Sequence, residues 1–269
     1  MTPKRFRDLV FKYYEREGRH DLPWRKTRDP YRILVSEVML QQTQVERVRP
    51  FYEAFLKDFP TVVALADAPL SRVLVRWQGL GYNRRAKMLH EAAKCVVRDF
   101  KGKMPTSVEA LESLPGVGHY TARAVATFSK NEDVVFVETN LRTAVIHHFF
   151  PDAEKVDDKD VLSILEGALP KGDARRWYSA LMDYGAHLKR SGVRVNAKSK
   201  SYAKQSAFTG SGRQARGAIL KALAQGPQAE AYLLGVLGPD RTEQLLLQLK
   251  KLHTEGFIQK KGKKYQLAD

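Results

Sequence analysis

Cysteine is almost missing from this sequence, which has one, Cys95, among 269 residues. A single thiol cannot form an internal disulfide, and it cannot hold an iron–sulfur cluster, which needs several cysteine ligands. Cys95 lies within an apolar pattern of helical spacing, so we predict a buried structural thiol and not a reactive one. The sequence also has no His-Glu-x-x-His motif and no Cys/His spacing typical of a metal site, and we predict no metal.

Long apolar runs and acidic residues are scarce too. No run reaches the roughly 20 apolar residues that a membrane-spanning helix needs, and the first residues lack the apolar core of a signal peptide. The 30 Asp and Glu are outnumbered by 46 Lys and Arg, which gives a formal net charge of +16, and residues 184–229 contain no acidic residue. This balance predicts an anionic partner, nucleic acid first, and no membrane. We therefore expect a cytoplasmic protein associated with the nucleoid.

Helical spacing dominates most of the chain. The sequence is 43% hydrophobic, which suffices for one or two domains with cores. Apolar residues recur at three- and four-residue spacing through residues 1–188, for example over residues 33–45 and 48–59, with prolines such as Pro50 as punctuation. Residues 189–212 are polar and basic, which predicts a linker. We therefore expect a mainly α protein.

Residues 213–269 predict a second, smaller domain. Helices are expected at residues 214–224, 229–237 and 241–255, the last with four leucines facing inward: Leu245, Leu246, Leu249 and Leu252. Two short strands follow, around residues 261–263. Three helices before a basic hairpin resemble a winged helix-turn-helix domain. Some domains of this kind bind DNA, and others bind a partner protein. Three lysines of the hairpin favour DNA contact: Lys260, Lys261 and Lys263.

The segment Leu114-Pro115-Gly116-Val117-Gly118 is the most informative motif. Glycine permits backbone angles closed to other residues and removes the Cβ from a surface that something must approach closely. A hairpin with freed amides that leads into a helix N-terminus suits a phosphate oxygen. Tight turns between helices also carry Pro and Gly for structural reasons, so the hairpin alone leaves both interpretations open. Its candidate DNA-contacting residues are Leu114, Gly116, Val117 and Gly118.

Four further blocks accompany the hairpin: Leu22-Pro23-Trp24-Arg25, SEVMLQQTQV from Ser36, WQGLGY from Trp77 and LMDYGA from Leu181. With these blocks in this order, residues 19–188 resemble the helix-hairpin-helix (HhH-GPD) DNA glycosylases of the endonuclease III group, and among them the MutY adenine glycosylases. The resemblance implies a two-lobed helical fold with the active site between the lobes. It also implies a monomer that acts on double-stranded DNA containing a lesion or mismatch.

One feature departs from that family. Most members carry four cysteines after the segment that corresponds to Gly185-Ala186, whereas this chain has HLKRSGVR from His187. We interpret the chain as a clusterless member, in which cationic side chains take over part of the DNA contact. The one cofactor that the resemblance still implies is a monovalent cation bound at the hairpin.

Two carboxylates could supply the chemistry that the resemblance implies. Breaking an N-glycosidic bond creates an oxocarbenium-like sugar, so the site needs negative charge near C1′ and a proton for the departing base. Glu37 stands on an otherwise apolar helix face, where desolvation would raise its pKa towards that of a general acid. In isolation a salt-bridged structural role would be the favoured interpretation of Glu37. The resemblance makes it the acid that protonates the base.

Glu138 occupies the position of the family's catalytic aspartate, in Val137-Glu138-Thr139-Asn140. It keeps the charge and adds one methylene, so the carboxylate must be held differently to stabilise the cation. We expect the N-terminus of the following helix to help keep it ionised. Asn140 is expected to hydrogen-bond this carboxylate or to cap the helix, and the two roles can coexist.

Tyr120 stands where bifunctional relatives carry a lysine that forms a Schiff base. A phenol cannot form one, so strand cleavage by β-elimination is not expected and the resemblance implies a monofunctional enzyme. Tyr120 is expected to pack beside the sugar and the catalytic carboxylate.

The resemblance also assigns a base pocket and a DNA-probing surface. The pocket residues are Trp24, Arg25, Leu40, Val45, Asp183 and His20, although a core role fits Trp24 and Leu40 nearly as well. The probing residues, which enter the base stack when a base flips, are Gln41, Gln42, Thr43 and Tyr82. The favoured substrate is adenine opposite 8-oxoguanine or guanine. The alternatives are thymine or uracil in a mismatch, another modified base, or a non-catalytic DNA-binding relative.

Overall fold

A computed structural model of the protein describes residues 1–203, 205 and 207–269. The α-helices in the first half are α1 Pro3–Glu17, α2 Pro30–Leu40, α3 Val45–Asp58, α4 Val62–Ala66, α5 Leu70–Trp77, α6 Arg84–Phe100, α7 Val108–Glu112 and α8 His119–Lys130. Those that follow are α9 Thr139–Phe149, α10 Asp158–Ala168, α11 Ala174–Arg190, α12 Gly212–Leu223, α13 Glu230–Leu237 and α14 Thr242–Thr254. The strands are β1 Gln228–Ala229, β2 Ile258–Lys261 and β3 Lys264–Leu267. The predicted mainly α fold is confirmed.

The chain forms two compact units, each made of two segments. The first unit comprises Met1–Glu37 and Pro105–Lys204, and the second comprises Val38–Met104 and Gln205–Asp269. The predicted boundaries 1–188, 189–212 and 213–269 differ from this division, because the C-terminal segment clusters with residues 38–104 instead of standing alone. None of the described helices is long and apolar enough to cross a membrane.

The core of the first unit lies where α11 packs against α9 and α1. Trp177 and Tyr178 of α11 are completely buried there, and Phe6 of α1 packs edge-on against Trp177 with ring centroids 6.0 Å apart. Tyr178 stacks on Phe136, 3.9 Å between centroids, and donates its hydroxyl to the Val134 carbonyl. These contacts hold the segment that leads into α9, whose N-cap is one of the candidate carboxylates, Glu138.

The core of the second unit includes α3, α5 and α6. Trp77 is fully buried and packs against Phe55, which in turn packs against Phe59. The predicted apolar pattern of residues 33–45 is interrupted, because α2 ends at Leu40 and α3 begins at Val45. Pro50, expected as punctuation, lies inside α3. Cys95 is buried on α6 and donates to an Asp99 carboxylate oxygen at 3.2 Å, which confirms a structural thiol.

The C-terminal segment contains the three predicted helices and the predicted hairpin. β2 and β3 pair antiparallel with Lys261 opposite Lys264, and Gly262, at φ +58°, makes the tight turn between them. A short strand that we did not predict, β1, pairs with β3 to give the order β1-β3-β2. Leu245, Leu249 and Leu252 are buried as expected, but Leu246 is 47% exposed. A position next to Leu245 points about 100° away on a helix, so Leu246 cannot share its inward direction.

Contacts with α6 hold the C-terminal segment within the second unit. The Lys87 ammonium donates to the carbonyl of Glu255, just past the end of α14, and lies 5.3 Å from the centroid of the Phe257 ring. The Arg216 guanidinium lies on the same ring at 4.6 Å and forms a bidentate pair with Glu255. Because these bonds join distant parts of the chain, this segment is a fixed part of its unit.

Part of the predicted linker is docked and does not act as a tether. α11 continues to Arg190, and Val156 pairs with Ser199 in a parallel bridge in which Val156 N donates to the Lys198 carbonyl at 2.8 Å. Thr143 donates its hydroxyl to Asn196 Oδ1 at 2.9 Å. Residues 193–201 are therefore docked on the first unit, which their polar composition did not predict, and the linker boundaries stay a prediction. The predicted linker also includes residues 204 and 206, which lie outside the described residues.

Candidate active site

Glu37 is the buried carboxyl group that the sequence predicts. It lies on α2 between the buried residues Ser36 and Val38, is itself 6% exposed, and accepts a hydrogen bond from the Tyr120 hydroxyl at 2.7 Å. Burial raises the pKa of Glu37 to about 7, the Tyr120 hydrogen bond opposes this rise, and the charge of Glu138 adds to it. At neutral pH the group is therefore divided between its acid and its carboxylate, which suits a proton donor.

Tyr120 lies in the first turn of α8, directly after the hairpin. Its ring packs edge-on against Phe136 with centroids 5.6 Å apart. Burial, followed by the charges of Glu37 and Glu138, raises the pKa of Tyr120 well above its usual value. The phenol therefore remains protonated and acts as a hydrogen-bond donor to Glu37.

Glu138 is the N-cap of α9. Its Oε1 accepts the backbone N–H groups of Asn140 at 2.7 Å and Leu141 at 3.1 Å, and its Oε2 accepts the Asn140 side-chain amide at 3.3 Å. Asn140 therefore bonds the carboxylate as expected, while the capping role belongs to Glu138 itself. The side chain of Glu138 therefore folds back onto the N-terminus of its own helix.

The helix N-terminus acts on the pKa of Glu138 in the expected direction, but burial has the larger effect. The backbone N–H groups of the helix terminus, together with Lys189 and Arg142, do lower the pKa of Glu138 as predicted. Burial outweighs them, however, and the pKa is raised overall. The helix terminus therefore limits the rise of the pKa without reversing it.

Gly185 of the LMDYGA block allows α11 to approach this helix terminus. A Cβ at Gly185 would lie 2.1 Å from the Asn140 carbonyl oxygen, closer than any side chain can tolerate. The glycine is therefore required by the packing of α11 on the first turn of α9. Because that turn holds Glu138, Gly185 positions the carboxylate indirectly.

Arg25 and Asp183 form a buried ion pair. Arg25 donates two bonds to the Asp183 carboxylate, at 2.6 and 2.9 Å, and Arg19 donates a third side-chain bond at 2.7 Å. Burial alone would raise the pKa of Asp183, but the bonds and charges of Arg25 and Arg19 lower it. Asp183 is 1% exposed and anchors Arg25. Arg19 was missed, since nothing in the sequence distinguishes it from the many other basic residues.

The other predicted pocket residues have different surroundings. Trp24 is 8% exposed in a short 3-10 helix, Pro23–Arg25. His20 is exposed, its ring lies 4.4 Å from the Tyr14 ring, and its Nε2 is 3.0 Å from the Tyr14 carbonyl oxygen. Leu40 and Val45 are half-buried in the second unit, at the end of α2 and the start of α3. A base pocket formed by these residues stays a prediction.

The predicted probing residues occupy two tight turns of the second unit. Gln42, in the turn after α2, has φ +55°, and Tyr82 has φ +48°. Left-handed backbone at residues other than glycine costs roughly 1–2 kcal/mol each. Both side chains are exposed, while Gln41 and Thr43 on either side of Gln42 are half-buried. The surrounding structure therefore holds two strained residues at the surface.

Arg85 of α6 supports both turns, and the sequence did not single it out. Its Nη1 donates to the carbonyls of Val38 at 2.8 Å, Met39 at 3.0 Å and Gln41. Its Nη2 donates to the Leu80 and Gly81 carbonyls, at 3.3 and 3.2 Å, and to the Thr43 hydroxyl at 3.2 Å. Burial lowers the pKa of Arg85 to about 10, so the group stays charged at neutral pH. A guanidinium presents five N–H donors and suits such a cluster of carbonyls.

The hairpin between α7 and α8 combines buried and open positions. Leu114 and Val117 are 2% and 6% exposed, so their side chains belong to the core. Gly116, at φ +74°, makes the turn. Gly118 caps α8 with an ordinary negative φ of −89°, and a Cβ there would meet no other described atom within 4 Å. Neither the backbone angle nor the packing of the described residues requires glycine at position 118.

The lysines of the C-terminal hairpin are exposed, with Lys260 lying 5.3 Å from the centroid of the Tyr265 ring. Among residues 1–203, 205 and 207–269, no three or more His, Cys, Asp and Glu side chains are grouped so as to hold a metal ion.

The chain resembles known proteins of base excision repair over much of its length. The profile described as HhH-GPD superfamily base excision DNA repair protein matches residues 35–171. An adenine DNA glycosylase of Mycobacterium tuberculosis is 43% identical over 181 residues, which cover 65% of this chain and 58% of that protein. One of Buchnera aphidicola is 35% identical over 187 residues, covering 69% and 53%. The chain thus spans about half the length of these curated relatives.

Two solved structures share the fold. A thermostable thymine-DNA glycosylase superposes with a TM-score of 0.64 at 29% identity, covering 73% of this chain and 94% of its own. A trapped covalent intermediate of endonuclease III with DNA gives a TM-score of 0.60 at 18% identity, covering 70% and 87%. At that lower identity the likeness concerns the fold alone.

Proposed function

Because the chain belongs to the HhH-GPD superfamily of base excision DNA repair proteins, we propose that it is a DNA glycosylase. It hydrolyses the N-glycosidic bond of a base flipped out of duplex DNA. The observation that carries this proposal is the buried Glu37 carboxyl, bonded to Tyr120 and electrostatically coupled to the capped Glu138. A salt-bridged structural Glu37 would instead face a basic side chain as its hydrogen-bond partner.

Glu37 is the general acid of the proposed reaction. Its Oε2 accepts the Tyr120 hydroxyl, so Oε1 is the atom that carries and delivers the proton to the base. Protonation makes the base a neutral leaving group, and the electron pair of the breaking C1′–N bond leaves with it. A pKa of about 7 lets the group be reloaded with a proton at neutral pH.

Glu138 stabilises the positive charge that develops on the sugar. Its carboxylate is held by two backbone N–H groups and the Asn140 side chain, so it needs little reorganisation as the cation forms. Water then adds to C1′ and yields an abasic sugar. Transient covalent attachment of Glu138 to C1′ is compatible with the same outcome.

The proposed enzyme is monofunctional. Tyr120 lies where a Schiff-base lysine would be needed, and its phenol remains protonated because its pKa is raised. The expected product is an intact strand with an abasic site.

Double-stranded DNA containing a mismatch or lesion is the proposed partner. The net charge of +16 and the open Gly118 at the hairpin support it. A monomer associated with the nucleoid and a winged helix-turn-helix contact to DNA belong to the same proposal. A monovalent cation at the hairpin is the one cofactor that the proposal includes.

Adenine opposite 8-oxoguanine or guanine is the proposed substrate, because the relatives at 35–43% identity are adenine DNA glycosylases. Mismatched thymine is the second candidate, supported by the likeness to a thymine-DNA glycosylase at 29% identity. Both are bases of normal DNA, so they share one requirement: the mispair, and not the base itself, marks the target.

Incubation with labelled duplexes tests the proposal. Each duplex carries one mismatch or lesion, and hot alkali afterwards cleaves any abasic site that has formed. Excision of adenine opposite guanine or 8-oxoguanine is expected, whereas excision of thymine opposite guanine would select the second candidate. Tight binding to these duplexes without excision of any base would instead indicate a non-catalytic DNA-binding protein.

A further inference from the structure

Four polar side chains from three chain segments meet on the surface of the second unit. Gln205 donates from Nε2 to Gln42 Oε1 at 3.2 Å and also to the Tyr82 hydroxyl. Arg213 donates from Nη1 to the same hydroxyl at 3.0 Å and from Nη2 to the Ala207 carbonyl at 3.3 Å. We call Gln42, Tyr82, Gln205 and Arg213 the polar cluster. It joins two predicted DNA-probing residues to two residues that no family motif assigns.

The polar cluster has a rigid support on both sides. Arg85 holds the backbone next to Gln42 and Tyr82 through the Gln41 and Gly81 carbonyls. Arg213 lies in the first turn of α12, which packs against α13 and α14. Lys87 fixes the end of α14 to α6. The contacts of Arg213 with Tyr82 are therefore set by folded elements on each side.

The chemistry of the polar cluster matches the edge of a base. Arginine donors fit the O6 and N7 acceptors of guanine, and glutamine can both donate and accept at a base edge. Tyr82 is 39% exposed and offers an aromatic face for stacking.

A glycosylase that removes a normal base must obtain its specificity from the partner base. Adenine opposite thymine and adenine opposite guanine present the same target, and only the base left in the helix differs. We propose that Arg213 and Gln205 read that remaining base and favour a guanine-type edge, with Tyr82 holding both side chains in place before DNA binds. This inference rests on the proposed function and adds to it the residues that determine specificity.

Substitution of Arg213 gives the main test. Wild type and Arg213→Ala are compared in single-turnover excision of adenine opposite guanine, 8-oxoguanine and thymine. The ratio of the rate opposite guanine or 8-oxoguanine to the rate opposite thymine should fall about tenfold or more, the usual effect of one bidentate base contact. Lys221→Ala is the matched control, because it removes one positive charge from an exposed position on the same helix. Its ratio should equal that of wild type.

Two further variants separate reading from other roles. Tyr82→Phe keeps the ring but removes the hydroxyl oxygen that accepts hydrogen bonds from Gln205 and Arg213. It should lower the ratio of excision rates more than it lowers the affinity for duplex DNA. Gln205→Ala should lower the ratio of excision rates by a smaller factor than Arg213→Ala, because a glutamine side chain has fewer hydrogen-bond donors than an arginine side chain. Folding of each variant is checked by its thermal unfolding.

Distinct results would overturn the inference. Equal slowing of excision from all duplexes in Arg213→Ala would make Arg213 a phosphate contact. Faster excision from all duplexes at an unchanged ratio would make Gln205 and Arg213 an inhibitory cover of Tyr82. If wild type excises no base from any duplex, the proposed function fails. Excision by wild type with an unchanged ratio in Arg213→Ala refutes the inference alone.

Discussion

In the first unit Glu37 is buried and holds a proton near neutral pH, whereas in the second unit Gln42 and Tyr82 are exposed in strained backbone. The carboxylate site, formed by Glu37, Tyr120, Glu138 and Asn140, depends on desolvation and on hydrogen bonds to charged oxygens. The polar cluster depends on where Arg85 and α12 place its side chains. The difference teaches that a chemical step and a recognition step call for opposite environments.

Solvent explains that contrast. A carboxyl group must lose water to have its pKa raised, so the carboxylate site is built among apolar helices. A side chain that reads a base must reach the nucleic acid, so the polar cluster lies at the surface. The half-buried guanidinium of Arg85 holds the strained backbone at Gln42 and Tyr82 through the neighbouring carbonyls. Substitutions at the carboxylate site of the first unit should therefore affect the rate of excision. Substitutions at the polar cluster of the second unit should affect discrimination between base pairs, or stability.

The largest effect is expected from removing the charge of either carboxylate. Glu37→Gln and Glu138→Gln should each slow excision about 100-fold or more, because one cannot protonate the base and the other cannot stabilise the cation. Duplex affinity should hardly change. Single-turnover excision and equilibrium binding measure the two quantities. Glu109→Gln, at an exposed position of α7, is the control and should keep the wild-type rate.

Glu138→Asp sharpens the same comparison. Aspartate is a good N-cap, so the variant should keep the fold while withdrawing the carboxylate by one methylene. A large loss of rate is expected if the packing of α9 and α11 suits the longer side chain. Full or higher activity would show instead that Glu138 is a tolerated replacement for the family's aspartate.

The next effect is the pH dependence that Glu37 imposes. Since the pKa of Glu37 is about 7, the excision rate should fall as the pH rises above 7. Tyr120 donates to the charged carboxylate and so lowers this pKa, and Tyr120→Phe should move the alkaline limb to higher pH. A rate profile unchanged in both Tyr120→Phe and Glu37→Gln would exclude Glu37 as the titrating acid.

The same titration affects stability. Between the unfolded pKa of 4.5 and the folded value of about 7, the folded protein keeps a proton that the unfolded chain releases. The free energy of unfolding should therefore decrease as pH rises through this window, by roughly 3 kcal/mol in total, and then level off. Glu37→Gln should lack this decrease. Urea unfolding of both proteins at several pH values measures the difference.

A smaller effect is expected from Arg85 in the second unit. Arg85→Ala leaves several buried carbonyls without donors, which should cost about 1–3 kcal/mol or more of stability. Both turns would also relax, so discrimination between mispairs and normal pairs should weaken in conditions where the variant is folded. The neighbouring exposed Arg84 gives the control, since Arg84→Ala removes the same charge and should have little effect. Equal effects of the two variants would contradict the positioning role.

How much the sequence predicts also differs between the two units. Glu37 and Glu138 could be assigned from the sequence because each stands in a block that resembles a family motif, and Glu37 also lies on an otherwise apolar helix face. Arg85 and Arg19 could not be found in this way, because their partners are backbone carbonyls or an aspartate far along the chain. The docking of residues 193–201 was missed for the same reason, since the bridge between Val156 and Ser199 joins positions 43 residues apart.

Helix positions show a similar limit. Spacing predicted the three C-terminal helices, but not that Leu246 faces solvent, because a run of adjacent leucines does not fix which side is buried. The break between Leu40 and Val45 was missed because the four polar residues between them, three of them glutamines with good helix propensity, do not by themselves end a helix. Its cause is the cluster of carbonyls bonded by Arg85, which only the folded chain brings together.

The smallest effect, and the test of whether recognition extends beyond the polar cluster, concerns the C-terminal hairpin. Lys260, Lys261 and Lys263 are exposed, so replacing all three with alanine should remove up to three phosphate contacts. Each lost contact lowers the slope of log affinity against log salt by about one unit. A control triple replaces three exposed lysines elsewhere in the second unit: Lys57, Lys94 and Lys103.

The salt dependence separates three roles for the hairpin lysines. Uniform weakening across duplexes, with a reduced slope, is expected because phosphates carry no sequence information. Loss of discrimination instead would move the reading of the opposite base from Arg213 to the hairpin. An unchanged affinity and slope would contradict DNA contact at this hairpin and leave a protein partner for it. Because the hairpin and the polar cluster belong to the same unit, the two sets of variants together determine which of them carries specificity.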